Sequence, residues 1–356
     1  MTAAPAPGLP ADLPGLPAAP ADAWLRRELP ELAQDGPWQA EIISGGLSNI
    51  TYRLRLAGGT VILRRPPLGH LLPRAHDVAR EHRVLAALAD TPVPVPAPLA
   101  LCTDPAVLGA PFYLTPEVAG EVLRTAEDTA RLDPRTRAEL SESLIAALVA
   151  LHAVDPDEVG LGDFGRRSGY SERQLRTWGA QWERSRTRDL PDMETLLAAL
   201  ADRVPAEQTS GIVHGDYRFD NTIVRLDGRP RVAAVLDWEL STLGDPLADL
   251  GLTLTYWHDL GDALRAEVPV AAGVTAWPGF PSSAAVAQRY AELSGRDLGD
   301  LGFYRALGAM KLAVILEGVH ARFLSGTTVS DGYERAGSAV PALVAQGLRL
   351  LRPGAV

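Results

Sequence analysis

The stretch from His214 to Gly251 constrains this chain more than any other. It reads HGDYRFDN, then a hairpin pattern, then LDWE, then DPLADLG. Gly211-Ile212-Val213 is a short apolar strand that ends at His214,. Thr222 to Leu226, the turn Asp227-Gly228 and Val232 to Leu236 read as a β-hairpin,. Asp216 therefore falls on a loop just after a strand, where its carboxylate can project into a cleft. Asn221 follows five residues later and offers an amide oxygen. The hairpin can bring Asp237 back to the same edge of the site.

Such a set suits phosphoryl transfer. That reaction needs a carboxylate to orient the attacking hydroxyl, oxygen ligands for magnesium, and cations for the transferred phosphate. Magnesium takes one or two carboxylates and completes its shell with phosphate oxygens and water. A hairpin from Asn221 to Asp237 would let two metal ligands converge.

The first third of the chain reads differently from the rest. Trp38 to Ile43, Ile50 to Leu56 and Thr60 to Arg65 are strand patterns, separated by the turns Gly45-Gly46-Leu47-Ser48-Asn49 and Gly58-Gly59,. A helix is expected from Pro73 to Leu88, then two short strands, the second over Pro111 to Val118,. Gly120 marks a hinge. From Arg135 onward the pattern is mostly helical, with segments at Ser171 to Arg186, Pro246 to Trp257 and Phe303 to Phe323,. The fold class is thus α+β, with a small antiparallel-sheet lobe over 22–119 and a larger helical lobe over 120–356. Residues 1–21 form an Ala/Pro/Gly tract, expected to be disordered. Asp22 is the expected cap of a short helix carrying Trp24, Leu25 and Leu29.

Composition narrows the function classes. The 356 residues are 46% hydrophobic and 22% charged, enough for a real core,. With 34 basic and 44 acidic side chains, the formal charge of −10 argues against a nucleic-acid partner,. One cysteine, Cys102 in a loop-like stretch, excludes an internal disulfide and reads as a structural thiol,. No signal peptide is recognisable, and no apolar run reaches the roughly 20 residues that span a bilayer. A cytoplasmic protein with no membrane partner is expected.

HGDYRFDN resembles the catalytic loop of the aminoglycoside phosphotransferase-like kinase superfamily, and is similar to the protein-kinase loop H-R-D-x-x-x-x-N. GGLSN, LRRPP, HDVAREHRVL and RQLRTW, in this order, look like one branch of that superfamily. It includes the kinase domain fused to certain eukaryotic acyl-CoA dehydrogenases. The resemblance runs from about Trp24 to the C-terminal helices. It implies a two-lobed protein-kinase-like fold and an ATP- and magnesium-dependent kinase acting on a small-molecule hydroxyl. By the same resemblance Asp216 is the catalytic base, Asn221 and Asp237 hold magnesium, and Arg218 faces the transferred phosphate. Arg64, ending VILR, stands where protein kinases carry a Lys, with Glu81 as its ion-pair partner. Glu117 and Val118 would contact the adenine through their backbone. The branch implies a hydroxyacyl-CoA or hydroxy acid as acceptor. An antibiotic kinase and a nucleotide-binding pseudokinase are the competing readings.

Several residues carry two readings. Ser48 and Asn49 either contact phosphates or close the glycine turn. His214 and His152 read as structural. Asp245 reads as a helix N-cap before Pro246, and Asp249 either favours the helix dipole or, by resemblance, braces the catalytic loop. The arginines between Arg166 and Arg188 form either a solvated helix face or an anion site.

Overall fold

The computed structural model describes all residues except 1–10, 35, 44–48, 69–76, 207–208, 267, 272, 327–334 and 353–356. The chain divides into two compact units. Residues 1–119 with 234–239 make the first, and 120–233 with 240–356 the second.

The first unit is built on a five-stranded antiparallel sheet of order β1-β2-β3-β5-β4. Its strands are β1 (Gln39–Ile42), β2 (Ile50–Leu56), β3 (Gly59–Arg65), β4 (Ala100–Cys102) and β5 (Phe112–Pro116). Side chains alternate between faces along a strand, and the two faces here are covered by different helices. Tyr52, Leu54, Val61, Leu63, Phe112 and Leu114 form one face and pack with Trp24 and Leu25 of α1 (Ala18–Glu28). Trp24 meets Phe112 edge-on at 4.8 Å. Arg64 and Tyr113, directly opposite one another on β3 and β5, belong to the other face. There Glu81 of α2 (Val78–Leu88) reaches them. The Asp77 side chain caps α2 through the Arg80 N–H. A one-turn helix, α3 (Pro105–Leu108), joins β4 to β5.

Four expectations change here. Residues 11–20 do not behave as a disordered tail. Leu16 is buried in the core, the Tyr52 hydroxyl donates to the Pro14 carbonyl, and the Arg65 guanidinium donates to the Gly15 carbonyl. The tract is poor in helix and strand signal, but a sheet face supplies both an apolar bed and donors for its carbonyls. Helix α1 consequently begins at Ala18, and Asp22 lies inside it, accepting from Arg26 Nε at 2.8 Å and Trp38 Nε1 at 3.0 Å. Cys102 ends strand β4 and is buried. Helix α2 starts at Val78, while 73–76 of the expected helix lie outside the described residues.

The second unit is mostly helical. It contains α4 (Ala126–Ala130), α5 (Pro134–Ala153), α6 (Tyr170–Ser185), α7 (Pro191–Ala201), α8 (Pro246–Tyr256), α9 (Ala263–Ala266), α10 (Ser283–Ser294), α11 (Leu301–Leu324) and α12 (Ala336–Leu350). Strand β6 (Gly211–Val213) pairs with β9 (Thr242–Gly244), and β7 (Thr222–Arg225) pairs with β8 (Arg231–Val235). β9 and α7 have no counterpart in the sequence reading. Asp245 caps α8 through the Leu247 N–H, with Pro246 at the first helical position, as expected. Among the described residues no helix is long and apolar enough to cross a membrane.

Helices α8 and α11 touch backbone to backbone. A Cβ on Gly251 would lie 2.5 Å from the Tyr304 carbonyl carbon, and one on Gly308 3.1 Å from the Leu252 Cα. Only glycine permits this approach, which sets both helices against the loop after β6. Gly251→Ala is expected to cost about 1–3 kcal/mol through overpacking. Urea denaturation checks this, and an unchanged midpoint would contradict the close crossing.

Candidate active site

In the first unit the site is a charge network around one buried carboxylate. Glu81 sits in the apolar stripe of α2 with Val78, Leu85 and Leu88, and is 1% exposed. It forms an ion pair with Arg64 Nε at 2.9 Å and accepts from Asn49 Nδ2 at 2.6 Å and the Tyr113 hydroxyl at 3.0 Å. Arg64 also reaches Asp237 Oδ1 at 2.6 Å through Nη2. The expected Arg64–Glu81 pair is therefore present, with Asp237 as a second partner. Burial pushes the Glu81 carboxyl up to about 7, with Arg64 opposing and the Asp237 carboxylate adding to it. Asp237 has φ of 63°, a left-handed conformation that costs a non-glycine residue about 1–2 kcal/mol. Such strain is characteristic of functional positions.

In the second unit the loop after β6 is held from below by α8. Asp249 accepts from the His214 N–H at 2.5 Å, the Gly215 N–H at 2.7 Å and His152 Nε2 at 3.3 Å. Burial works to raise the Asp249 pKa, yet His152 and these donors hold it below the usual carboxylate range. The Tyr290 hydroxyl lies 2.8 Å from His152 Nδ1 and fixes that ring. One turn further on, Thr253 Oγ1 donates to the Tyr217 carbonyl at 2.9 Å. Gly215 has φ of 85°, and a Cβ there would lie 2.7 Å from the Leu240 carbonyl oxygen. The loop therefore requires glycine at this position. His214 is fully buried, and its Nδ1 accepts from the Asp216 N–H at 3.2 Å. Both histidines thus serve the structure, and Asp249 braces the loop.

Asp216 is the centre of the arrangement so held. Asn221 Nδ2 donates to its carbonyl at 2.8 Å and its Oδ2 at 2.9 Å. Arg218 Nε lies 3.5 Å from the same Oδ2, and Arg218 Nη1 lies 3.1 Å from Asp220 Oδ2. The guanidinium stacks 4.8 Å from the ring centroid of Tyr256, whose hydroxyl bonds Asp216. Burial works to raise the Asp216 pKa, but Arg218, Lys311 and Tyr256 outweigh it and hold it below the usual range. Asp220, by contrast, is pushed up by its burial.

The residues fit a magnesium ion by their chemistry. The Asn221 amide nitrogen is spent on Asp216, which leaves its oxygen as the free donor atom. One Asp237 oxygen holds Arg64, and the side chain is 37% exposed. Both are hard oxygen donors of the kind magnesium prefers. Asn221 belongs to the second unit and Asp237 to the first. Among the described residues no cluster of three or more His, Cys, Asp or Glu could hold a metal.

The other expected positions fare unevenly. Ser48 lies outside the described residues. Asn49 closes on Glu81 rather than standing free in a turn. The Glu117 N–H donates to the Thr60 carbonyl at 3.2 Å, and its carboxylate pairs with Arg53 at 2.6 Å. That amide is therefore spent on the sheet and unavailable to a ligand. Val118 is half-buried. Arg167 pairs with Asp157 and Arg186 with Glu183, as on a solvated face, whereas Arg188 reaches the buried Glu317 of α11.

Tyr113, Tyr256 and the loop contact of Lys311 were not legible as site features in advance. Tyr256 had a signal. Asp249, Thr253 and Tyr256 stand four and seven residues apart on a helix otherwise rich in apolar residues, so they share one face.

A sheet-based unit with an Arg–Glu pair and a helical unit with an HGD loop define the protein-kinase-like class. Residues 39–284 match the Phosphotransferase enzyme family (APH), and the chain belongs to that family. It is similar to Acyl-CoA dehydrogenase family member 11 of Gallus gallus, at 35% identity over 342 residues. The match covers 95% of this chain but only 42% of that protein. The chain thus spans less than half the length of this curated relative. A Ralstonia eutropha structure, named provisionally as an aminoglycoside phosphotransferase, is similar at 34% identity and a TM-score of 0.80. It covers 94% of this chain and 97% of that one. The GDP complex of aminoglycoside 2'-phosphotransferase-IIIa shares the fold at a TM-score of 0.60 and 13% identity, covering 92% and 97%.

The Glu81 shift carries a sign for stability. Its folded pKa, about 7, lies above the ordinary value of 4.5. Between those values the folded chain keeps a proton that the unfolded chain releases, so stability falls as pH rises through this window. Thermal midpoints from pH 5 to 8 should decline more steeply for the wild type than for Glu81→Gln. Parallel curves would contradict the shift.

Proposed function

We propose that this chain is an ATP- and magnesium-dependent kinase that transfers the γ-phosphoryl group to the hydroxyl of a small molecule. The observation that carries this reading is Asp216, a half-buried carboxylate that Arg218, Lys311 and Tyr256 hold below the usual pKa range. An ionised carboxylate in a preorganised loop can accept a hydrogen bond from an incoming alcohol and take its proton during transfer. Asn221 fixes the orientation of that carboxylate. Arg218, already aligned by Asp216, Asp220 and the Tyr256 ring, is positioned to offset charge on the phosphoryl oxygens. Arg64, held between Glu81 and Asp237, plays the corresponding part for the nucleotide phosphates. Asn221 and Asp237 would each offer magnesium an oxygen, and the ion would supply charge neutralisation for the phosphate oxygens. Adenine recognition falls to the Glu117 carbonyl and the Val118 amide, because the Glu117 N–H is engaged.

For the acceptor we favour a hydroxyacyl-CoA or hydroxy acid. The chicken relative is named as an acyl-CoA dehydrogenase family member, and this chain matches under half of it. The two cations that flank Asp216, Arg218 and Lys311, also make a poor seat for a polycationic drug. An aminoglycoside is the second reading, favoured by the name of the Ralstonia eutropha relative.

ATP consumption with magnesium, measured against hydroxyacyl-CoAs, hydroxy acids and aminoglycosides, tests both. Asp216→Ala is expected to lose about a hundred- to ten-thousandfold in turnover. Near-normal turnover in that variant would remove Asp216 from the role. Turnover with aminoglycosides alone would overturn the acceptor, and no turnover with any acceptor would favour a pseudokinase.

A further inference from the structure

Lys311 is a cation in an apolar setting. It interrupts a run of α11 in which Ala306, Leu307, Ala309, Met310, Leu312, Ala313 and Val314 are all buried. Its Nζ donates to the Gly215 carbonyl at 2.6 Å and lies 5.4 Å from the ring centroid of Trp178. The N–H of the same Gly215 is held by Asp249. Gly215 is therefore gripped on both sides, its N–H by a carboxylate of α8 and its carbonyl by an ammonium of α11. The close crossing at Gly251 and Gly308 is what lets both helices reach it. A cavity of about 20 Å³ beside Lys311, lined also by Gly215, Trp178, Gln174 and Tyr304, leaves room for about one water molecule.

An apolar side chain of similar length would suit this helix better if packing were the only demand. Replacing buried charges by apolar groups of similar volume is often neutral or stabilising. The ammonium is drawn down by burial, against the pull of Asp216 and Asp249. Burial works against the ammonium here, and stability is characteristically given up for function.

We propose that Lys311 is a positioning residue of the transfer site, which grips the Gly215 carbonyl and so presents Asp216 to the acceptor hydroxyl. This rests on the reading of Asp216 given above. Lys311 acts through the loop and through its charge beside Asp216.

Lys311→Met and Lys311→Arg in the full chain test it, by thermal denaturation, magnesium-dependent ATP hydrolysis without acceptor, and transfer to the best acceptor. Lys311→Met is expected to melt at or above the wild-type temperature. Its kcat should fall about tenfold or more, with the KM for ATP nearly unchanged, and Lys311→Arg should recover part of the loss. A Met variant that melts well below the wild type assigns Lys311 to the core and overturns the proposal. So does an active wild type matched by an equally active Met variant, which leaves the kinase reading intact. A wild type that consumes no ATP, with or without acceptor, overturns both.

Discussion

The carboxylate of Asp249 is the interaction on which the shape of the loop after β6 depends. It is buried, ionised and shared among two backbone N–H groups and His152. A buried charge is tolerable only when its lone pairs are filled, and filling them fixes the His214-Gly215 backbone. Gly215 accepts the resulting left-handed conformation, and the chain then turns Asp216 into place. The loop is thus shaped by α8. Thr253 and Tyr256, on the same face of that helix, extend the grip to Tyr217 and to the Asp216 carboxylate.

The first unit solves a similar problem with opposite economy. There the buried carboxylate, Glu81, gathers two donors and an ion pair with Arg64, which also reaches Asp237. Sheet register decides which residues take part. Because Arg64 opposes Tyr113 on the next strand, both point to the α2 face, while Leu63 and Phe112 point to the α1 face. A one-residue slip would exchange those faces.

Much of this was legible in the sequence. The HGDYRFDN loop, the hairpin after it and the Arg64–Glu81 pair rest on local patterns and ordered motifs, which survive without tertiary information. What escaped required long-range placement. Tyr113 enters only through strand register. Lys311 meets a carbonyl 96 residues away, across a helix crossing that two glycines make possible. The N-terminal tract misled because composition reports intrinsic propensity, whereas Leu16 and the Pro14 and Gly15 carbonyls are held by partners elsewhere in the unit. Glu117 escaped because its N–H extends the β3–β5 ladder by one bond beyond the pattern of the strand.

By the proposed function, one phosphoryl group passes from ATP to an alcohol oxygen at Asp216. The most direct test follows the phosphorus itself, by ³¹P NMR of the protein with ATP, magnesium and a hydroxyacyl-CoA. The account predicts that the γ-phosphate signal declines while a phosphate-monoester signal, coupled to a carbinol proton, rises in step. Loss of ATP with only inorganic phosphate appearing, for every alcohol supplied, would contradict it.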